Sequence, residues 1–236
     1  MVVMPQPAHV GHLLQTRVHD NPARPLLVWY SPSGERVELS AQTFANWVDK
    51  TVNLLGDLGW DEAPVVALPV LAERPGHWTS LVWAAAVWHL GGTIELAPEQ
   101  ADVVVLGPDN PRPHPGADTI ACSLHPLGLG LPNLPDGVQD YHEVLAQPDV
   151  HTPATPPSPT VAAWVGSTTV SHADLLDEVE PQAGRTVVQA SSDALDVVRR
   201  ALLGPLLGGG SAVVVEGELT RDQLRALADA ENATLD

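Results

Sequence analysis

Hydrophobic positions along this chain switch repeatedly between helical and strand periods. Val10, Leu13, Leu14 and Val18 recur at helical spacing and predict a short opening helix. Residues 26–30 and 36–39 are apolar or alternating runs around Ser31-Pro-Ser-Gly34, a turn signal, and read as a β-hairpin. Ser40 then stands as an N-cap, followed by Phe44, Trp47, Val48, Thr51, Leu55 and Leu58 on one helical face until Gly59. Residues 65–70 form a short apolar run, read as a strand. Residues 78–90, WTSLVWAAAVWHL, are apolar almost all round and predict a helix buried on most sides. Gly91-Gly92 stops it, and a strand is expected over 93–97. A strand, a buried helix, a glycine stop and a second strand are the signature of a βαβ crossover.

The middle of the chain is looser. Residues 102–106 and 118–122 read as short buried strands around a proline-rich loop, while 123–137, SLHPLGLGLPNLPDG, carries too many breakers for a regular element. A short helix near 141–146 precedes Pro148, Pro153, Pro156, Pro157 and Pro159. Residues 148–159 read as an extended, proline-stiffened linker between two α/β subdomains, 1–147 and 160–236. Beyond it, alternation resumes. A strand is expected over 161–165, then a helix through Val179 opened by Ser171 and Asp174, and a strand over 186–190. A helix over 195–207 follows, ended by Gly208-Gly-Gly210, then a strand over 212–215 and a helix capped by Thr220 with Gln223. Strand following helix throughout predicts an α/β fold with a largely parallel sheet. The segments LLVWYSPSGERVELSAQTF and VAAWVGSTTVSHADLL echo one another as strand, turn, strand, serine cap, helix.

Charge narrows the range of functions. The chain of 236 residues has 11 Lys+Arg against 29 Asp+Glu, a formal charge of −18, and Lys50 is its single lysine. Such a surface repels phosphate backbones and anionic lipid, so neither nucleic acid nor membrane is expected as a partner. Hydrophobic residues make up 44% of the chain, enough for a core. One cysteine, Cys122, excludes an internal disulfide framework and fits a reducing compartment. The opening residues, MVVMPQPAHVGHLL, lack the basic and apolar regions of a signal peptide, and no run is long enough to span a bilayer. A cytoplasmic protein is expected.

Several constellations have simple structural explanations. His9 and His12, with His19 further on, share the first helix. No acidic residue follows at ligand-like spacing and no cysteine is near, so a solvated helix face is expected and no metal is assigned. Cys122 follows an apolar strand and reads as a buried small hydrophobe. Ser191-Ser192-Asp193 lacks G-x-S-x-G context and reads as a helix N-terminus. Gly208-Gly-Gly210 lies after a helix and before a strand, the reverse of a dinucleotide-binding turn. Trp78, Trp83 and Trp88 cover several faces of one helix and read as core.

The segments NPARPLLVWYSPSGERVELSAQTFANWVDKTVNLLGDLGW, VVALPV and WTSLVWAAAVWHLGGTIELAP resemble the N-terminal part of the AMP-dependent synthetases. These adenylate-forming enzymes include acyl-CoA synthetases, luciferases and peptide-synthetase adenylation domains. VGSTTVSHADLL sits where such enzymes carry a Ser/Thr/Gly-rich phosphate loop, and VVQASSDALDVVRRALLGPLLGGGSAVVVE resembles their following strand, helix and strand. The length and the SLHPLGLGLPNLPDG stretch suggest a narrower likeness, to an uncharacterised actinobacterial family built from this portion only. The resemblance implies a fold of largely parallel sheets with helices on both faces. It also implies activation of a carboxylate by ATP with magnesium to an acyl-adenylate, followed by capture by a thiol or amine. Candidate phosphate- or nucleotide-binding residues are then Gly166, Ser167, Thr168, Thr169 and His172.

The residues depart from that chemistry. Phosphate loops need glycines so that backbone N–H groups can approach the phosphates, and a lysine for charge. Here Gly166-Ser-Thr-Thr169 runs directly into Val170-Ser-His172, with no local cation, and a hairpin leading to the Ser171 cap accounts for the same residues. The family's catalytic lysine, acidic magnesium ligand, adenine-reading loop and ribose-binding aspartate belong to segments beyond residue 236. Each lost stabilising donor of this kind costs roughly 3–4 kcal/mol of transition-state stabilisation. The expectation is a pseudoenzyme with no catalytic residues, retaining at most weak nucleotide (ATP or AMP) or acyl-group binding, or acting as an interaction module with a protein partner or a second copy of itself. The alternative is an AMP-forming acid–thiol ligase component whose lysine domain is supplied in trans.

Overall fold

The computed structural model describes residues 9–235; the expectation of no leader peptide falls in large part on residues 1–8, outside that range. The opening helix, α1, spans Val10–Asp20 and buries Val10 and Leu14. Strands β1 (Pro25–Tyr30) and β2 (Arg36–Ser40) pair antiparallel as the hairpin that the Ser-Pro-Ser-Gly turn predicts. The Ser40 side chain accepts from the Thr43 N–H at 3.1 Å and starts α2 (Ala41–Asp57), whose apolar stripe is buried. Strand β3 is shorter than its apolar run, Val65–Ala67, because Pro69 opens a separate helix, α3 (Pro69–Glu73), at a position where its missing N–H costs nothing. Helix α4 (Trp78–His89) has every residue buried, as an all-apolar helix requires.

Strands β4 (Thr93–Glu95), β5 (Val103–Leu106) and β6 (Asp118–Ala121) follow, then β7 (Gln139–Asp140) with a 3₁₀ turn over Tyr141–Ala146 capped by Asp140. Strands β8 (Ala162–Val165) and β9 (Thr169–Ser171) form a second antiparallel hairpin. The helix expected from Ser171 to Val179 is absent. The cap bond exists, with the Asp174 N–H donating to Ser171 Oγ at 3.2 Å. Onward bonds nevertheless span three residues, from Asp177 to Asp174 and from Val179 to Leu176, so the stretch coils as successive turns. Ser171 is committed to β9, and the N–H groups of His172 and Ala173 are drawn to the carbonyls of Val161 and Pro159.

Strand β10 (Arg185–Gln189) leads to one helical run of three parts: α5 (Ala194–Val198), a widened π turn over Arg199–Leu203, and α6 (Gly204–Gly208). Pro205 explains the irregularity. It removes an i→i−4 bond and clashes with the carbonyl one turn back, and a π turn just before it relieves both. The glycines after the run are required by close approach as well as by helix termination: a Cβ on Gly208 would lie 2.3 Å from backbone atoms of Gln182, and Gly209 has φ +71°. Strand β11 (Ser211–Val215), helix α7 (Arg221–Glu231) and strand β12 (Thr234–Leu235) complete the chain. Thr220 and Gln223 form a reciprocal capping box on α7. Thr220→Ala is expected to cost about 1 kcal/mol in urea unfolding, with an unchanged m-value.

The strands assemble into two sheets, ordered β12-β10-β11-β1-β2 and β7-β6-β5-β3-β4-β8-β9. All neighbours are parallel except the two hairpins, each of which supplies one edge. The βαβ crossover predicted around α4 is present, with β3 and β4 adjacent and parallel. Helix α2 packs on β1 and β2, α4 packs on β4, and the two helices pack on each other and on α1, so a helical layer joins the sheets. The first sheet is covered on both faces. Leu27, Trp29, Ala212 and Val214 point into the main core, while Val28, Val187, Val213 and Val215 meet Ala228 of α7.

Both sheets take strands from either side of residues 148–159. That proline-rich segment runs along the helical layer. Asn53 Nδ2 donates to the carbonyls of Pro148 and Val150 at 3.0 and 3.2 Å, and the Thr155 N–H donates to the His89 carbonyl at 2.9 Å. Trp78, Trp83, Trp88 and Cys122 are all buried, as core residues should be, and burial pushes the Cys122 thiol far above its ordinary range. No described helix is long and apolar enough to cross a membrane.

Candidate functional site

The residues singled out for phosphate binding lie at the tip of the β8–β9 hairpin. Val165 pairs with Thr169, and the Gly166 N–H donates to the Thr168 carbonyl at 3.0 Å. Gly166 to Thr169 are exposed, but the turn is closed on itself. A Cβ on Gly166 would meet Trp164 Nε1 at 2.9 Å and Leu96 at 3.2 Å, so its missing side chain makes room for core packing against the hairpin. The adjoining cavity, about 350 Å³, is lined by Glu95 and Glu99 together with Val165, Gly166 and Ser167. Glu95 Oε2 is buried with no hydrogen-bond partner among the described residues. Two carboxylates beside the turn set the wrong sign of potential for a phosphate.

His172 is held away from the turn. Its Nε2 donates to the Gly92 carbonyl at 3.0 Å, and its backbone N–H donates to the Val161 carbonyl. It does not begin the helix that the sequence predicts but pins the chain after β9 to the Gly91-Gly92 turn. Burial holds its imidazole below the ordinary histidine range. Lys50 is also engaged elsewhere: its ammonium donates to the carbonyls of Leu145 and Gln147 and lies 3.3 Å from Asp149. The structure therefore brings Gly166, Ser167, Thr168 and Thr169 together in one turn but aims neither His172 nor Lys50 at it.

A different cluster, not visible as spacing in the sequence, lies where α1, α2 and α4 meet the 148–159 segment. Asp49 of α2, His89 at the end of α4 and His151 place one donor atom each within 4.8 Å of one another. Asp49 and His89 are buried, while the His151 side chain is 46% exposed. His151 Nδ1 lies 2.8 Å from Asp49 Oδ1, and its Nε2 lies 2.7 Å from Gln15 Nε2. The His89 and His151 rings meet edge to face with centroids 5.5 Å apart. A cavity of about 320 Å³ opens beside them, walled by Leu14, Val18 and Ala45. Burial raises the Asp49 carboxyl and lowers the His89 imidazole. His9 and His12, the histidines paired by sequence spacing, have ring centroids 6.1 Å apart, and His12 and His19 are exposed on the helix face. The signal that could have pointed to this cluster is chemical, a carboxylate and a histidine inside two otherwise buried helix faces.

Placed against known proteins, the chain as a whole aligns with a crystal structure of an acyl-CoA synthetase from Brucella canis, with a TM-score of 0.70, 17% identity, and coverage of 100% of this chain and 48% of that one. The fold is that of the N-terminal portion of an acyl-CoA synthetase. The synthetase fold thus accounts for both sheets and the helical layer between them, and at this identity the likeness speaks for the fold alone. The chain is also 34% identical over 163 residues to a Mycobacterium tuberculosis (strain ATCC 25618 / H37Rv) protein named only as a TIGR03089 family protein, covering 64% of this chain and 65% of that protein. This actinobacterial likeness accords with the narrower resemblance read from the sequence. The chain spans just under two thirds of that relative and about half of the synthetase. No family model matches the chain.

Proposed function

We propose that this chain is a non-catalytic interaction module with the synthetase fold, and that it does not adenylate a carboxylate by itself. The observation that carries this reading is the closed β8–β9 turn. Its glycine N–H is spent on the Thr168 carbonyl, and its neighbouring cavity is lined by Glu95 and Glu99. Nucleotide phosphates carry several negative charges, and their binding requires backbone donors and cations aimed at one point. The turn offers three exposed hydroxyl side chains and no charge to match. The acidity of the whole chain, −18, acts in the same direction.

The test combines activity with binding. Purified chain is expected to give no carboxylate-dependent pyrophosphate exchange above a protein-free blank. Its melting temperature is expected to stay flat in millimolar Mg·ATP or AMP, because a ligand that binds the folded state stabilises it by RT ln(1 + [L]/Kd). Exchange by the chain alone overturns the proposal. So does exchange that appears only when a protein carrying a C-terminal adenylation lysine is added, which would make the chain a ligase component completed in trans.

A further inference from the structure

We propose that Asp49, His89 and His151 form a binding site for a divalent transition metal of the zinc class, with its fourth position open to the adjoining cavity. The inference stands independently of whether the chain adenylates anything, since these residues lie apart from the β8–β9 turn.

The first support is the tautomer of His89. Its Nε2 lies 2.7 Å from the Thr152 carbonyl, which can only accept, so Nε2 carries the proton and Nδ1 holds a lone pair. That Nδ1 is buried and has no hydrogen-bond partner among the described residues. A buried acceptor left unmatched costs free energy, and a cation removes that cost. The bond to Thr152 also has the form of a typical outer-shell contact, in which a metal-binding histidine donates its other N–H to a carbonyl that fixes the ring.

The second support is the state of the other two groups. The Asp49 carboxylate is buried, with a donor atom of each imidazole within 4.8 Å. His151 Nδ1 approaches it at 2.8 Å, so a proton now joins them. A metal ion takes the place of that proton. His151 Nδ1 then becomes a ligand, and its Nε2–H donates to Gln15 through the amide oxygen after a flip of the side chain. Ligands around tetrahedral zinc at about 2.0–2.2 Å sit roughly 3.4 Å apart. One donor atom of each residue already lies within 4.8 Å of the others, and His151, exposed on its extended segment, is the group placed to move in towards His89 Nδ1 and Asp49.

The donor set selects the metal. Two imidazoles and one carboxylate suit first-row transition ions such as zinc, cobalt, nickel or iron(II), whereas calcium and magnesium favour oxygen ligands throughout. Three protein ligands leave a fourth position, which faces the cavity beside Leu14 and Val18 and would hold water or a small donor ligand. Bound metal would also tie the 148–159 segment to α2 and α4, adding to the Asn53 and Thr155 hydrogen bonds.

The experiment titrates the metal-stripped full chain with Co²⁺ at pH 7.5 and follows the visible ligand-field bands, then displaces Co²⁺ with Zn²⁺. One equivalent of Co²⁺ is expected to bind with bands of four-coordinate intensity, and Zn²⁺ should bleach them. His151→Gln, at an exposed position where folding is preserved and checked by circular dichroism, is expected to weaken binding at least tenfold. His142→Gln, on the 3₁₀ turn bonded to Gly128, should leave it unchanged. Hydrogen exchange at residues 150–155 is expected to slow with Zn²⁺ in the unsubstituted chain and not in the His151 variant. Absence of saturable one-to-one binding, or binding undiminished by His151→Gln, overturns the proposal.

Discussion

Arg74→Ala is expected to destabilise the protein by about 3 kcal/mol, the lower end of the range for removing one partner of a buried ion pair. Glu216, directly after β11, is 6% exposed, and its carboxylate is satisfied by three donors. Arg74 donates through Nε to Oε1 at 2.9 Å and through its terminal nitrogen to Oε2, while Trp29 Nε1 donates to Oε2 at 3.0 Å. The fork of the guanidinium matches the carboxylate in the bidentate arrangement that lysine cannot copy. The Glu216 carboxylate in turn holds the Arg74 guanidinium above its ordinary range. Because the Arg74 side chain is 37% exposed, water screens part of the attraction, which places the expected cost at the low end. What alanine leaves behind is a buried carboxylate with one indole donor. Urea unfolding of Arg74→Ala, Glu216→Gln and the double variant separates the pair energy from this residual burial penalty. The double variant should recover part of the Arg74→Ala loss. Additive losses would show that the pair contributes nothing as a unit.

This pair also shows what linear sequence conceals. Arg74 and Glu216 are 142 positions apart, and neither belongs to a motif. The same holds for Asp49, His89 and His151, which lie on a helix, a helix end and an irregular segment. By contrast, features governed by neighbouring residues were legible. The serine cap before α2, the Thr220–Gln223 box, the Trp-rich buried helix and both hairpins follow from spacing and local hydrogen bonding. Pattern and structure part where one residue changes the local rule. Pro69 turned an apolar run from strand to helix, and Pro205 widened a helix whose apolar pattern shows no break. Ser171 makes the cap bond that the sequence predicts, yet its commitment to β9 leaves no helix to cap.

The two echoing segments illustrate how context divides equal patterns. LLVWYSPSGERVELSAQTF and VAAWVGSTTVSHADLL both fold as edge hairpins, one on each sheet. After the first, seventeen residues of amphipathic helix bury a stripe against β1 and β2. After the second, only Leu175 and Val179 are buried before Pro181. A helix there would have little apolar surface to bury, and short helices draw their stability from such packing. Gly166 to Thr169 thus form a chain-reversing turn, as Ser31 to Gly34 do.

Acidification is expected to destabilise the protein through His77, by an amount on the order of 4 kcal/mol between about pH 6.5 and pH 3. His77 caps α4: its Nδ1 accepts from the Thr79 N–H at 3.2 Å, so its Nε2 carries the proton and donates to the Leu124 carbonyl at 3.1 Å. The ring is fully buried, edge-on to Trp29 with centroids 4.5 Å apart. Burial, with a smaller contribution from the Arg74 charge, depresses the imidazole from 6.5 to about 3, while the bond to Leu124 opposes the shift. A second proton would have to enter at Nδ1, breaking the helix cap. In the unfolded chain the same histidine takes up its proton near pH 6.5. The stabilisation is therefore complete above that pH and declines as pH falls towards 3, since the unfolded state then binds more protons. His89 and His172 are also depressed by burial and add to the trend, so the difference between variants isolates His77. Glutamine can accept from Thr79 and donate to Leu124 without titrating. Urea midpoints measured every half unit of pH should fall more steeply for the unsubstituted protein than for His77→Gln, and parallel curves would refute the assignment. In the Arg74→Ala background the dependence should be shallower, because the nearby positive charge that helps to keep His77 neutral is gone.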